Sequence, residues 1–278
     1  MKYCRFEFEG RAHYGAVEMR GGELWIVDLA DAPEEDTAFH LARALAAATE
    51  RLVADVAGFD FEPLPLSEAK LLAPVTPSKI ICVGRNYRDH AKELGNEVPT
   101  EPLLFWKPPS SLLAPGDVVR MPAAAERVDY EGELALVIGK RASKLKSGDD
   151  WRGFVRGYTL ANDVTARDLQ KKDGQWTRAK GFDTFCPVGP LVSDEVDPAA
   201  GLTIETRQNG EVRQHGSTRD FIFAIPELLA YITAAITLEP GDLVLTGTPA
   251  GVGPVKAGDR VDVAMDGLGV LTNTFATE

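Results

Sequence analysis

The chain has 278 residues, 44% of them hydrophobic and 26% charged, with a formal net charge of −12. A chain of that length and composition folds on a buried core without a disulfide framework, and is neither fibrous nor disordered. The acid excess argues against a nucleic-acid partner, because phosphate binding needs clustered cations. The longest apolar runs, residues 134–138 and 221–225, fall far short of the roughly 20 residues of a membrane span. Met1-Lys2-Tyr3-Cys4-Arg5-Phe6 lacks the apolar stretch of a signal peptide, and Cys4, Cys82 and Cys186 form no C-x-x-C motif. These bounds describe a cytoplasmic, soluble, acidic protein with one large core.

In chain order, residues 2–8 and 13–18 read as extended, and Gly21-Gly22 turns the chain into a third extended segment at 24–27. Asp36 or Thr37 caps a helix over residues 38–56, where Leu41, Ala44, Leu52 and Val53 fall near helical spacing. Leu64-Pro65-Leu66 and Pro74-Val75-Thr76-Pro77 mark a linker, because proline enforces extended geometry. The expected division is a small N-terminal α+β module, residues 1–73, and a larger domain, residues 74–278. In the second part, short β-rich stretches at 80–83, 103–106, 117–121, 131–138 and 154–160 alternate with Gly/Pro turns. A hairpin follows at 202–207 and 211–214, joined by Asn209-Gly210, a pair that type I′ turns favour. Pro226 opens a helix over 227–236, and strands at 242–246, 260–265 and 270–275 finish the chain. Strands outnumber helices and do not alternate with them regularly, so the fold class reads as α+β, mainly β, and not as a doubly wound parallel sheet.

Asp129-Tyr130-Glu131-Gly132-Glu133-Leu134-Ala135-Leu136-Val137-Ile138 carries the most chemical information. Strand side chains alternate faces, so Glu131 and Glu133 share one face with Ala135 and Val137, while Leu134, Leu136 and Ile138 share the other. Carboxylates at i and i+2 lie about 7 Å apart at the backbone, and their heads can converge. In isolation the pair reads more simply as two solvated glutamates at a strand end. What raises a metal site is a third acid, Asp163, ending Tyr158-Thr159-Leu160-Ala161-Asn162-Asp163. Three carboxylates brought together would repel, and an oxygen-liganded Mg²⁺ or Mn²⁺ relieves that conflict.

Gly84-Arg85-Asn86-Tyr87-Arg88-Asp89-His90-Ala91-Lys92-Glu93-Leu94-Gly95 follows the stretch at 80–83. Asn86 caps a short helix that Gly95 ends, and His90 and Glu93, three apart, meet on its surface. A carboxylate beside an imidazole fixes its tautomer and strengthens it as a base. With Arg88 and Lys92 alongside, the segment by itself reads more simply as a solvated charged face. Lys107 ends an apolar strand and Lys180 lies between aromatics; singly, each reads as a snorkelling cation. Beside a carboxylate site either would stabilise a substrate acid or a developing enolate. Thr246-Gly247-Thr248-Pro249-Ala250-Gly251-Val252-Gly253 lacks the Gly-Lys-Ser/Thr of a P-loop and reads as a turn.

Taken together, six segments resemble the fumarylacetoacetate hydrolase family. They are G-R-N-Y-x-x-H-x-x-E from Gly84, F-W-K-P from Phe105, Y-E-G-E-L-A from Tyr130, N-D-V-T-A-R-D-L-Q from Asn162, W-T-R-A-K-G-F-D-T-F-C-P-V-G-P from Trp176 and T-G-T-P-A-G-V-G from Thr246. The resemblance runs over roughly residues 78–275 and is looser before that. It implies a mixed β-sheet rolled on itself, a homodimer, and a Mg²⁺ or Mn²⁺ ion held by Glu131, Glu133 and Asp163. It implies that His90 and Glu93 are the catalytic pair, and that Lys180, Arg85, Gln170, Lys107 and Thr248 contact substrate carboxylates or the reacting enolate.

The reaction that follows is a divalent-metal-dependent one on a small 2-oxo or β-diketo acid. His90, oriented by Glu93, draws a proton from water; hydroxide attacks the distal carbonyl; carbon–carbon cleavage leaves a pyruvate enolate whose charge the ion and Lys180 absorb. Hydrolysis of an acylpyruvate or fumarylpyruvate, or decarboxylation of oxaloacetate, leads this expectation. The alternatives are isomerisation of 2-hydroxyhepta-2,4-diene-1,7-dioate in aromatic catabolism and a non-catalytic dicarboxylate-binding protein.

Overall fold

The computed structural model describes residues 1–33, 36, 61–95, 97–146 and 148–278. The helix expected over residues 38–56 lies outside them. None of the described helices is long and apolar enough to cross a membrane.

Strands dominate, as the α+β reading requires, and those among the described residues form three sheets. The main path of the 12-stranded sheet runs Leu64–Pro65, Glu23–Ala30, Arg11–Arg20, Lys2–Phe8, Cys186–Ser193, Val155–Asn162, Gly132–Ile138, Leu243–Leu245, Ile80–Gly84 and Leu103–Lys107. A five-stranded sheet follows the order Glu211–Ser217, Thr203–Gln208, Arg260–Met265, Gly269–Thr277 and Val118–Met121. Thr165–Ala166, Val128–Tyr130 and Gly253–Pro254 make a small third sheet. Pairing is mostly antiparallel, and Leu243–Leu245 runs parallel to Ile80–Gly84.

The Gly132–Ile138 strand lies inside the large sheet, bonded on one side to Val155–Asn162 and on the other to Leu243–Leu245, and every residue of it is buried. Its period-two pattern feeds two cores. Leu134, Leu136 and Ile138 pack with Ile204 and Val263 of the five-stranded sheet and with Leu228 and Ile232 of the Ile225–Ala235 helix. Ala135 and Val137 pack with Ile80, Cys82 and Val188 on the opposite face. Each leucine so buried contributes about 1.5–3 kcal/mol. The two sheets approach so closely at Gly132 that a Cβ there would sit 2.1 Å from Thr206 Oγ1. Glycine between the two glutamates is therefore a condition of the packing.

Several expected elements stand where periodicity puts them. Asn209 and Gly210 have φ of +54° and +85°, the signs a type I′ turn demands, and Pro226 occupies the first turn of its helix. Three local readings change. The expected strand over 131–138 begins one residue later, at Gly132–Ile138, because Glu131 stands at a break after a separate strand, Val128–Tyr130. The short helix is Arg88–Glu93 with Tyr87 at its N-cap, so Asn86 does not cap it. Asn86 is fully buried, and its amide instead donates to Phe223 O at 3.2 Å and Thr246 O at 2.9 Å and accepts from Phe223 N–H at 2.8 Å. A buried amide is held by the bonds it cannot leave unmade, and a solvated helix start can turn to water instead. Gly95, at φ +69°, does end the helix, its N–H reaching Lys92 O at 2.9 Å. The Cys186–Ser193 strand, unforeseen because prolines interrupt it, runs between Lys2–Phe8 and Val155–Asn162.

Replacing Gly132 by alanine forces the sheets apart or distorts the strand, and is expected to cost about 1–3 kcal/mol in urea unfolding. An unchanged midpoint would show that the sheets yield freely there.

Candidate metal and acid–base site

The three acids meet because two strands end together. Gly132 pairs with Asn162 in register, so Glu131 and Asp163 fall at the adjoining ends. Beyond the ladder, Glu131 N–H donates to Asn162 Oδ1 at 2.9 Å and Asp163 N–H donates to Glu131 O at 2.8 Å. Glu131, Glu133 and Asp163 are all buried, and each offers an oxygen within 4.8 Å of the others.

Cations surround the cluster unevenly. Lys180 Nζ sits 2.8 Å from Glu131 Oε2 and 2.5 Å from Asp163 Oδ2, and 4.8 Å from the Phe105 ring centre. Arg167 reaches Glu131 Oε1 at 2.5 Å, and Lys107 Nζ reaches Asp163 Oδ1 at 2.6 Å. Glu133 accepts Gly247 N–H at 2.7 Å but forms no ion pair with any of these three cations. Burial, reinforced by the charges of Asp163 and Glu131, pushes the Glu133 carboxyl well above the ordinary range. For Glu131 burial acts upward too, but Lys180, Arg167 and His90 outweigh it and hold the carboxyl below its usual value. Burial pulls Lys180 down, and Asp163 and Glu131 more than reverse it, so the ammonium is retained.

This donor set suits a hard divalent ion. All three ligating groups are carboxylates, their oxygens are close enough to share one centre, and Glu133 is a buried acid short of positive charge.

His90 is 4% exposed, so the segment that read as a solvated face is turned inward at this residue. Its Nδ1 lies 3.5 Å from Glu93 Oε2, a charge-pair distance, and has no hydrogen-bond partner among the described residues. Burial lowers the imidazole pKa, with Arg167 and Lys180 acting the same way against Glu131 and Glu93, so the ring favours its neutral form. Glu93 is itself held by Gly251 N–H, at 3.1 Å from each carboxylate oxygen.

A cavity of about 370 Å³ brings together His90, Glu93, the three acids, Lys180, Arg85, Gln170 and Thr248. Lys107 does not line it. This lysine is fully buried, bonded to Asp163 and to Val164 O at 3.1 Å, so the substrate contact implied for it is corrected to a contact behind Asp163. Thr248 Oγ1 donates to Gly132 O at 2.8 Å and accepts from Gln214 Nε2 at 2.7 Å, which commits its proton to the strand between the glutamates. Gln170 Oε1 accepts from Arg167 at 2.8 Å. Arg167, Gln214 and Trp176 were not singled out by sequence reasoning. Arg167 and Trp176 stand inside recognisable segments, but nothing in their spacing says that one bridges to Glu131 and the other stacks 5.8 Å from the Arg85 guanidinium.

Comparison with known proteins adds the family. The family described as fumarylacetoacetate (FAA) hydrolase C-terminal matches residues 79–276. An uncharacterised protein of Methanocaldococcus jannaschii is 52% identical over 204 residues, 73% of this chain and 85% of that protein. An oxaloacetate tautomerase of Bacillus subtilis is 46% identical over 222 residues, 75% of this chain and 73% of that protein. The crystal structure of 2-hydroxyhepta-2,4-diene-1,7-dioate isomerase from Mycobacterium marinum superposes with a TM-score of 0.82 at 38% identity, covering 100% of this chain and 99% of that one.

The uneven charge around Glu133 gives a direct expectation. In chelator at neutral pH, Glu133→Gln should raise the thermal midpoint, because the buried carboxyl must take up a proton on folding and an amide need not. A clear fall would mean that the carboxylate is already compensated without an ion.

Proposed function

The chain belongs to the fumarylacetoacetate hydrolase family, and from that premise we propose that it interconverts tautomers of a small 2-oxo dicarboxylic acid of the oxaloacetate type. The observation that carries the reading is one cavity in which a buried, neutral-leaning imidazole and a retained ammonium share the space with three clustered carboxylates. The names of the B. subtilis tautomerase and the M. marinum isomerase, both reactions that move a proton and a double bond, support it.

Glu131, Glu133 and Asp163 would hold a divalent cation, which would supply Lewis-acid chemistry at a 2-oxo group. His90 takes the proton from the carbon next to that group, and Glu93 steadies the imidazolium that results. Lys180 faces the oxygen on which negative charge grows and donates a hydrogen bond to it. His90 then returns its proton to that oxygen, which completes the enol. Arg85, Arg127 and Lys171 add cations to the cavity lining, which suits a second carboxylate on the substrate. The catalytic unit in this reading is residues 74–278, with 1–73 as an accessory module. A homodimer belongs to the same reading and rests on the family resemblance.

A second reading, hydrolysis of a carbon–carbon bond in a β-diketo acid, is favoured by the separation of 3.5 Å between His90 Nδ1 and Glu93. A carboxylate-backed imidazole can also take a proton from water, whose hydroxide then attacks the distal carbonyl while the bonding electrons pass to the carbon beside the 2-oxo group.

The deciding experiment follows enol absorbance with oxaloacetate, and pyruvate release from acetylpyruvate and fumarylpyruvate, with Mg²⁺, Mn²⁺ or chelator. Faster enol decay without pyruvate release is expected; release from the diketo acids would select the second reading, and no acceleration of any substrate would refute both. His90→Ala should lower the rate by about 10²–10⁴-fold. Because the imidazole pKa is lowered and the neutral form is the base, the acid limb of the wild-type profile should fall below the ordinary value of 6.5. A limb above that value would contradict the assignment. Mn²⁺ at about 100 times its Kd should stabilise the protein by about 2.7 kcal/mol, and Glu131→Ala should abolish that gain in thermal unfolding.

A further inference from the structure

Asp129 is a fully buried carboxylate that does not line the cavity and has no place in the chemistry above. It lies on the Val128–Tyr130 strand, paired with Thr165 on one side and Pro254 on the other. Its Oδ1 accepts from Arg127 Nε at 2.7 Å, and its Oδ2 accepts from a terminal Arg127 nitrogen at 3.1 Å and from Arg167 Nε at 2.9 Å.

Arg167 spreads its guanidinium over three partners. Nε is on Asp129, one terminal nitrogen is on Glu131 Oε1 and the other is on Gln170 Oε1. A planar guanidinium bonded along its inner edge as well as at its tips has its orientation set. The arginine is therefore shared between two acids, one inside the cluster and one behind it. Both Glu131 oxygens already meet cations, Arg167 on one and Lys180 on the other. An incoming ion must compete with them for that carboxylate.

We propose that Asp129 is a positioning residue that anchors Arg167 from behind and so leaves Glu131 able to take a divalent cation. Without the charge of Asp129, Arg167 has Glu131 as its one remaining acidic partner in an ion pair among the described residues, and settles on it. The inference rests on the reading that Glu131, Glu133 and Asp163 hold the ion. It adds that selection of the ion depends on an acid that never touches it.

The test is calorimetric titration of metal-free protein with Mn²⁺, alongside thermal unfolding and turnover. Asp129→Asn should weaken Mn²⁺ binding by about tenfold or more, the usual effect of losing an outer partner of a ligand. Turnover should return towards the wild-type level at saturating Mn²⁺, which a collapsed site would not allow. Asp129→Glu keeps the charge and should lose less affinity than the asparagine variant, and an equal loss in the two overturns the proposal; if Asp129→Asn does not fold, Asp129→Ser takes its place, a weakened Mn²⁺ affinity rescued at saturation supporting the proposal and a wild-type affinity overturning it. Unchanged Mn²⁺ affinity in a folded Asp129→Asn, or a loss that saturation does not restore, overturns it too. Wild-type protein that binds no Mn²⁺ overturns the ligand reading itself, and the proposal with it.

Discussion

Carboxylates packed within 4.8 Å of one another and out of water repel, and much of the chain around the cavity is arranged against that repulsion. Lys107, Arg167 and Lys180 each approach the cluster from a different part of the sequence, and each is itself buried. Burial makes both sides costly: the cations need the acids as much as the acids need them. Compensation is nevertheless incomplete at Glu133, whose carboxylate is bonded, among the described residues, only by a backbone N–H. A site balanced in this way is stable enough to fold and still attracts positive charge.

The same region has to be stiff. The peptide between the two glutamates is held from three directions: Gly132 N–H donates to Gln214 Oε1 at 3.0 Å, Gly132 O accepts from Thr248, and the absent side chain admits Thr206. Gln214 and Thr206 come from the second sheet, so the geometry of the acids depends on how two sheets sit together. Carboxylates that must converge on one point gain from such outer support, because a loose rotamer would undo the convergence.

Much of this was readable in the residues, for physical reasons. Alternation along 134–138 is a local property, and it correctly put leucines on one face and Ala135 and Val137 on the other. The Asn209-Gly210 turn and Pro226 at the helix start are likewise set by backbone preferences of single residues. What escaped depends on distant partners. Asn86 was read as a cap because only its neighbours were visible; its real partners, Phe223 and Thr246, lie 137 and 160 residues away. Lys107 looked like a cation for substrate because nothing local reveals that its ammonium ends on Asp163. His90 looked solvated because Arg88 and Lys92 share its helix, whereas burial is decided by what the other face of that helix meets.

The bond between Glu93 and the Gly251 amide joins the imidazole to a part of the chain that does no chemistry. Gly251 stands at φ +102°, and a Cβ there would lie 2.0 Å from the carbonyl oxygen of Arg213, on the outer strand of the hairpin. The hairpin edge thus acts as a mechanical stop that limits how far the loop, and the Glu93 carboxylate bonded to it, can shift. A side chain added at position 251 would therefore be felt at Glu93 and His90, in a cavity that the outer strand does not itself line.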